Sequence, residues 1–93
     1  MTALTPADLT AFLDQHPAWR LAGGALVREW TFHDFLAAIA FVNRVAALAE
    51  TAGHHPDIDI RYNRVRLALV THDAGGITSN DTSLAAQLDQ VPS

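Results

Sequence analysis

Apolar positions recur along the chain with two periods, and the changes from one period to the other mark out the elements. Leu9, Phe12 and Leu13 repeat at helical spacing. The residues ahead of them suit a helix start: Thr5 can cap it, Pro6 fits a first turn where no N–H is needed, and Asp8 meets the positive end of the helix dipole. His16-Pro17 stops this helix, because a residue before proline avoids the helical region. Two short runs, Trp19–Ala22 and Ala25–Trp30, flank Gly23-Gly24 and read as a β-hairpin. Thr31 then opens a second, longer helix. Its Phe32, Phe35, Leu36, Ile39, Val42, Val45, Ala46 and Ala49 form a wide apolar stripe, which Phe41 and Leu48 widen further. A helix apolar over so much of its circumference is covered on more than one side, and in so short a chain a second subunit is one candidate cover. The helix ends near Gly53, a residue that accepts the left-handed cap conformation.

After the loop His54-His55-Pro56-Asp57 the period falls to two. A short strand is expected at Ile58–Arg61, a turn at Tyr62-Asn63, and a longer strand from Val65 to His72. On that strand Val65, Leu67 and Leu69 share one face, while Arg64, Arg66, Ala68, Val70 and His72 share the other. Asp73-Ala74-Gly75-Gly76 makes a turn. Thr78, with an acid three residues on at Asp81, starts a last helix in the manner of a capping box, and Leu84, Ala85, Leu88 and Val91 supply its apolar face. The order is α-β-β-α-β-β-α. It predicts an α+β fold in which three helices pack on one face of a four-stranded antiparallel sheet, as a single domain over residues 1–93.

Composition narrows the function classes. The chain has 93 residues, a net charge of −4 and six basic residues, all arginine. That balance argues against nucleic-acid binding, and the cluster Arg61, Arg64 and Arg66 reads as a solvated strand face. There is no cysteine, hence no disulfide or thiolate metal site, as suits a reducing compartment. No apolar run reaches the ~20 residues of a membrane span, and no secretory pattern is visible. A cytoplasmic protein with no membrane association is expected.

The candidate chemistry lies in three histidines and two acids. His54 and His55 are adjacent, just past a helix C-terminus whose carbonyls favour positive charge. Taken alone, such a pair reads first as an exposed polar loop. His72 ends a strand and reads alone as a half-buried histidine with a backbone partner. Glu50 lies one helical turn before His54, and Asp81 lies in the first turn of the last helix, where capping would explain it. Metal-ligand spacing is absent: adjacent histidines rarely converge on one ion, and no His-x-x-x-His pair is present. No Ser-His-Asp pattern, phosphate loop or dinucleotide fingerprint occurs. Metal-free general acid–base catalysis is what remains, and histidine suits it because its ordinary pKa of about 6.5 lies near working pH.

The order and spacing of Glu50, His54-His55-Pro56, Tyr62, His72 and Asp81 resemble the signature of the pterin-4a-carbinolamine dehydratase family, also known as the dimerisation cofactor of a homeodomain transcription factor. The resemblance spans the chain, taking in Trp30-x-Phe32 ahead of the long helix, Thr71-His72, and Gly76-x-Thr78-x-x-Asp81. It implies dehydration of 4a-hydroxytetrahydropterin to quinonoid dihydropterin, which recycles the cofactor of aromatic amino acid hydroxylases. It implies no metal and no organic cofactor. His54, His55 and His72 become the catalytic residues: His54 nearest the departing hydroxyl, and His55 or His72 the base at N5. Glu50, Pro56, Thr71 and Asp81 become substrate-binding residues, with Glu50 and Asp81 orienting imidazoles or holding the pterin's polar edge. The implied partners are the pterin substrate and further copies of the chain, in a homodimer or homotetramer joined through the second helix and the last helix with its Leu84, Leu88 and Val91. The fold also leaves room for another protein partner, and a non-catalytic assembly module is the alternative reading. A related pterin, such as a molybdopterin intermediate, is a further candidate ligand.

Three positions depart from the pattern common in animal members. Gly53 stands where an Asp precedes the paired histidines, Asn80 where an Arg often precedes the final Asp, and Ile58 where a Trp is common two residues after the proline. The first two remove charge from around the pocket and the third removes an aromatic wall. These changes bear on affinity and side-chain preference more than on the chemistry.

Overall fold

The computed structural model describes residues 2–92. Its elements are α1 (Pro6–Gln15), β1 (Arg20–Ala22), β2 (Ala25–Thr31), α2 (Phe35–Ala52), β3 (Asp57–Arg61), β4 (Arg64–Leu69), a single 3-10 turn (His72–Ala74) and α3 (Ser79–Leu88). The strands form one antiparallel sheet in the order β1-β2-β4-β3. This is the expected α+β fold with three helices. Each tight turn is set by local chemistry. Gly23 and Gly24, both at positive φ, close the first hairpin, with Ala22 opposite Ala25. Tyr62-Asn63 closes the second between Arg61 and Arg64.

One face of the sheet carries the core. Leu26, Trp30, Val65, Leu67 and Leu69 meet Ala38, Phe41 and Val45 of α2 and Leu84, Ala85 and Leu88 of α3. Leu9, Phe12 and Leu13 of α1 pack more loosely against that core. By length and a mean hydropathy of 1.5, the 18 residues of α2 are apolar enough to cross a membrane, which run length in the sequence did not suggest. Ala38, Phe41, Val45 and Ala49 account for one face of that apolarity, because they are buried within the domain.

Two boundaries differ from expectation. α2 begins at Phe35 and not at Thr31, capped by Asp34, whose carboxylate accepts the Ala37 N–H at 2.8 Å. Thr31 instead ends β2 opposite Arg64. Phe32 belongs to the linker, held where its N–H donates to the Asn63 carbonyl at 2.8 Å. Its ring still packs on Phe41, 5.1 Å between centroids, so it joins the apolar stripe without being helical. β4 likewise stops at Leu69, short of His72. β2 and β3 supply partners only as far as Leu69 and Ala68. Beyond them Thr71 bridges back to Gly76, and His72 opens the 3-10 turn, exposed to solvent.

The two ends of α3 are anchored separately. At its C-cap, Asp89 accepts hydrogen bonds from His16 Nδ1 at 2.7 Å, from Trp19 Nε1 at 2.8 Å and from Arg28 Nη1. The Arg28 guanidinium lies over the Trp30 ring, 4.4 Å from its centroid. Burial acts to raise the Asp89 pKa. The hydrogen bonds from His16, Trp19 and Arg28, together with the Arg28 charge, outweigh burial and hold the carboxyl below its ordinary value.

Candidate active site

Gly53 makes the turn that brings the paired histidines into place. It ends α2 in the left-handed conformation (φ 65°, ψ 26°), with its N–H returned to the last turn of the helix. The His54 N–H follows it back to the Ala49 carbonyl at 3.2 Å. The two imidazoles then part company. His54 Nε2 lies 2.5 Å from Asp81 Oδ1 across 27 residues of sequence. His55 Nε2 lies 2.7 Å from Glu50 Oε1, within the same helix end.

Burial separates the two pairs. Asp81 is fully buried and the His54 side chain is 16% exposed, whereas His55 and Glu50 are 64% and 80% exposed. Asp81 sits in the first turn of α3, where its Oδ2 also accepts the Thr78 N–H and the Thr71 hydroxyl, each at 2.8 Å. Because a carboxylate only accepts, His54 Nε2 donates to it, leaving Nδ1 as the ring atom able to accept a proton.

An open cleft of about 250 Å³ is lined by Gly53, His54, His55, Val70, Thr71, His72 and Asp73. It gathers the three histidines from the α2–β3 loop and from the segment after β4. Thr71 lines it as well. The other residues assigned to substrate contact lie elsewhere. Asp81 is enclosed behind His54, Pro56 is buried, and Glu50 stands outside on the solvent side of His55. The alternation of β4 puts Val70 on the His72 side, but it gives no sign of Asp73, which falls in the turn that follows. The capping box expected at Thr78 also serves the site, because the Thr78 N–H holds the acid behind His54.

A depression of about 180 Å³ on the outer sheet face is lined by Glu29, Asp59, Arg61, Arg64, Val65 and Arg66. Its polar groups pair with one another, Arg61 with Asp59 at 3.1 Å and Arg66 with Glu29 at 4.0 Å. It holds no group whose ordinary pKa lies near neutrality, whereas the histidine cleft holds three. Among the described residues no three His, Asp or Glu side chains converge as metal ligands.

The family model described as pterin 4 alpha carbinolamine dehydratase matches residues 2–91. The chain belongs to the pterin-4a-carbinolamine dehydratase family. A relative from Acidobacterium capsulatum, provisionally named a pterin-4-alpha-carbinolamine dehydratase, is 60% identical over 98% of this chain and 99% of its own. Another from Chloroflexus aurantiacus, with the same provisional name, is 57% identical over 98% of each chain. Among solved structures, the transcriptional coactivator/pterin dehydratase from Brucella melitensis superposes with a TM-score of 0.92 at 30% identity, covering 99% of this chain and 100% of that one. A pterin dehydratase-like protein described as a RuBisCO assembly factor in the α-carboxysome superposes with a TM-score of 0.66 at 26% identity, covering 80% and 88%. The family is thus an enzyme family whose fold also occurs in proteins described by roles in transcription and assembly.

Proposed function

We propose that this chain dehydrates a 4a-hydroxytetrahydropterin to the quinonoid dihydropterin, without a metal, by histidine acid–base catalysis. The observation that carries the reading is the meeting of His54, His55 and His72 on one cleft, with His54 backed by a buried carboxylate. The reaction needs two proton transfers. The C4a–O bond breaks as a proton reaches the departing hydroxyl, N5 loses its proton, and the N5=C4a double bond forms as water leaves. His54 is the acid at the hydroxyl: the negative charge of Asp81 faces the ring that must be positive before it donates. Among the described residues His72 has no hydrogen-bond partner on either ring nitrogen, and it is the base at N5, with His55 as the alternative. Thr71 lines the cleft as a substrate-binding residue, and Glu50 acts through His55. Family membership and the provisional names of the relatives support the reaction class.

The test is direct. The purified protein should accelerate dehydration of a synthetic 4a-carbinolamine with no added metal. Positioned acid–base groups contribute about 10²–10⁴-fold, so His72→Ala should lose most of that rate. Full activity in the variant would reject the catalytic assignment.

A second reading rests on the start of α2, where Phe35 is 47% and Leu36 76% exposed. Apolar side chains in such positions suit an interface, and a homodimer or homotetramer is the simplest occupant. A non-catalytic assembly role would use the same surface. A stoichiometric non-self partner recovered from source cells, together with no dehydratase activity, would favour that role over the enzyme.

A further inference from the structure

We infer that Thr78, which no substrate can reach, is a positioning residue for His54, acting through a one-way chain of hydroxyl hydrogen bonds. The inference rests on the acid–base reading of the cleft. Thr78 is fully buried. Its hydroxyl oxygen lies 2.8 Å from that of Thr71, and the Thr71 hydroxyl donates to Asp81 Oδ2 at 2.8 Å. Each hydroxyl has one proton. The Thr71 proton is committed to the carboxylate, which cannot return one, so the proton between the two threonines belongs to Thr78. The Asn80 N–H, donating to Thr78 Oγ1 at 3.2 Å, fixes that hydroxyl from the other side. The direction therefore runs from Asn80 to Thr78, to Thr71, to Asp81.

The chain ends on His54. Asp81 Oδ2 takes the Thr71 hydroxyl and the Thr78 N–H, which leaves Oδ1 for the imidazole. Thr78 thus holds the carboxylate by two routes, its own N–H and its hydroxyl through Thr71. Helix capping alone asks less of this residue, since a cap needs only an acceptor, whereas the link to Thr71 needs a donor as well. Without that donor, Asp81 and Thr71 gain rotational freedom, and the Nε2–H form of His54 loses the fixed acceptor that selects it.

α1 provides an internal control. Thr5 and Asp8 form the same kind of capping box at an exposed helix end, with Thr5 accepting the Asp8 N–H at 3.1 Å and no tie to the cleft. The experiment compares Thr78→Val, Thr78→Ser and Thr5→Val with the wild type, in samples shown by circular dichroism to be folded at the assay temperature. The first readout needs no substrate: ¹⁵N shifts of the His54 ring across a pH titration. The second is the pH profile of the dehydration rate, with kcat and KM separated. Thr78→Val should shift the His54 ring from Nε2–H toward a tautomer mixture and lower kcat about tenfold, with KM changing less than kcat. Thr78→Ser should restore both. Thr5→Val should lower stability and leave both at wild-type values. A folded Thr78→Val whose His54 shifts and kcat match those of Thr5→Val would overturn the inference. If the wild type itself proved inactive, the dehydratase reading would fail, while the ring shifts would still decide the role of Thr78.

Discussion

His54–Asp81 and His55–Glu50 are the same chemical pair in opposite surroundings. Two neighbouring imidazoles each meet a carboxylate through Nε2, at 2.5 and 2.7 Å. One pair is enclosed and its acid has three donors. The other stands in water at the end of α2. The difference teaches that distance alone does not rank such contacts. An exposed pair is screened and must order two side chains, which leaves it worth about 0–1 kcal/mol. In a buried pair, removing one partner strands the other's polar groups, and the loss is several times larger. The buried imidazole is also the one whose orientation is settled before a substrate arrives.

The sharpest way to break this contrast is Asp81→Ala. It should destabilise the fold by about 3–5 kcal/mol, read by urea denaturation, and lower the dehydration rate at least about tenfold. Equal losses from Asp81→Ala and Glu50→Ala would erase the distinction between the pairs.

Asp89 tests whether the half-buried carboxylate at the other end of α3 matters as well. Its pKa is lowered on folding, so the stability it contributes is present above its unfolded-state value of about 3.9 and is lost as pH falls through the lower folded value. Denaturation curves from pH 6 down to pH 2.5 should show that acid loss in the wild type and a shallower one in Asp89→Asn. The variant should also be less stable at neutral pH by about 1–3 kcal/mol, since its acceptor bonds to charged groups are weakened. An unchanged acid limb would assign the loss to other carboxylates.

Gly53 separates Glu50 from the two histidines. A Cβ there would meet nothing within 4 Å, so Gly53→Ala should cost only the left-handed backbone penalty of about 1–2 kcal/mol, measured as a drop in melting temperature. A much larger cost would mean that the turn is packed as well as bent. The smallest effect belongs to Glu50→Gln, which should alter stability by less than about 1 kcal/mol, and less still at high salt. A loss as large as that of Asp81→Ala would show that the exposed pair is buried in the working assembly.

Much of the architecture was legible because its signals are local. Thr5-Pro6-x-Asp8, Gly23-Gly24 and Thr78-x-x-Asp81 act within a few residues, and each made the cap or turn expected of it. The misplaced boundaries depend on partners far along the chain. Phe32 has helical spacing to Phe35, but Asn63 holds its backbone in an extended linker, its Nδ2 donating to the Phe32 carbonyl at 2.7 Å. His72 continues the alternation of β4 into a region where no neighbouring strand remains. In the cleft, spacing put Glu50 and Asp81 near the histidines without indicating which acid meets which ring, or that Asp81 is sealed from the cleft. The Asp89 cluster was not foreseen, because His16, Trp19, Arg28 and Asp89 share no motif and meet only through tertiary packing.

The double anchoring of α3 sets a limit on how this chain can change. Asp81 and Asp89 lie eight residues apart on one helix, about 12 Å along its axis, and each inserted or deleted residue turns the far end by about 100°. A substitution on the outer side of α3 leaves both acids facing their partners. A single-residue insertion or deletion between them swings one acid away, whatever residue is involved. The helix is a strut of fixed length and phase, and sequence drift along it should proceed by replacement and never by a change in length.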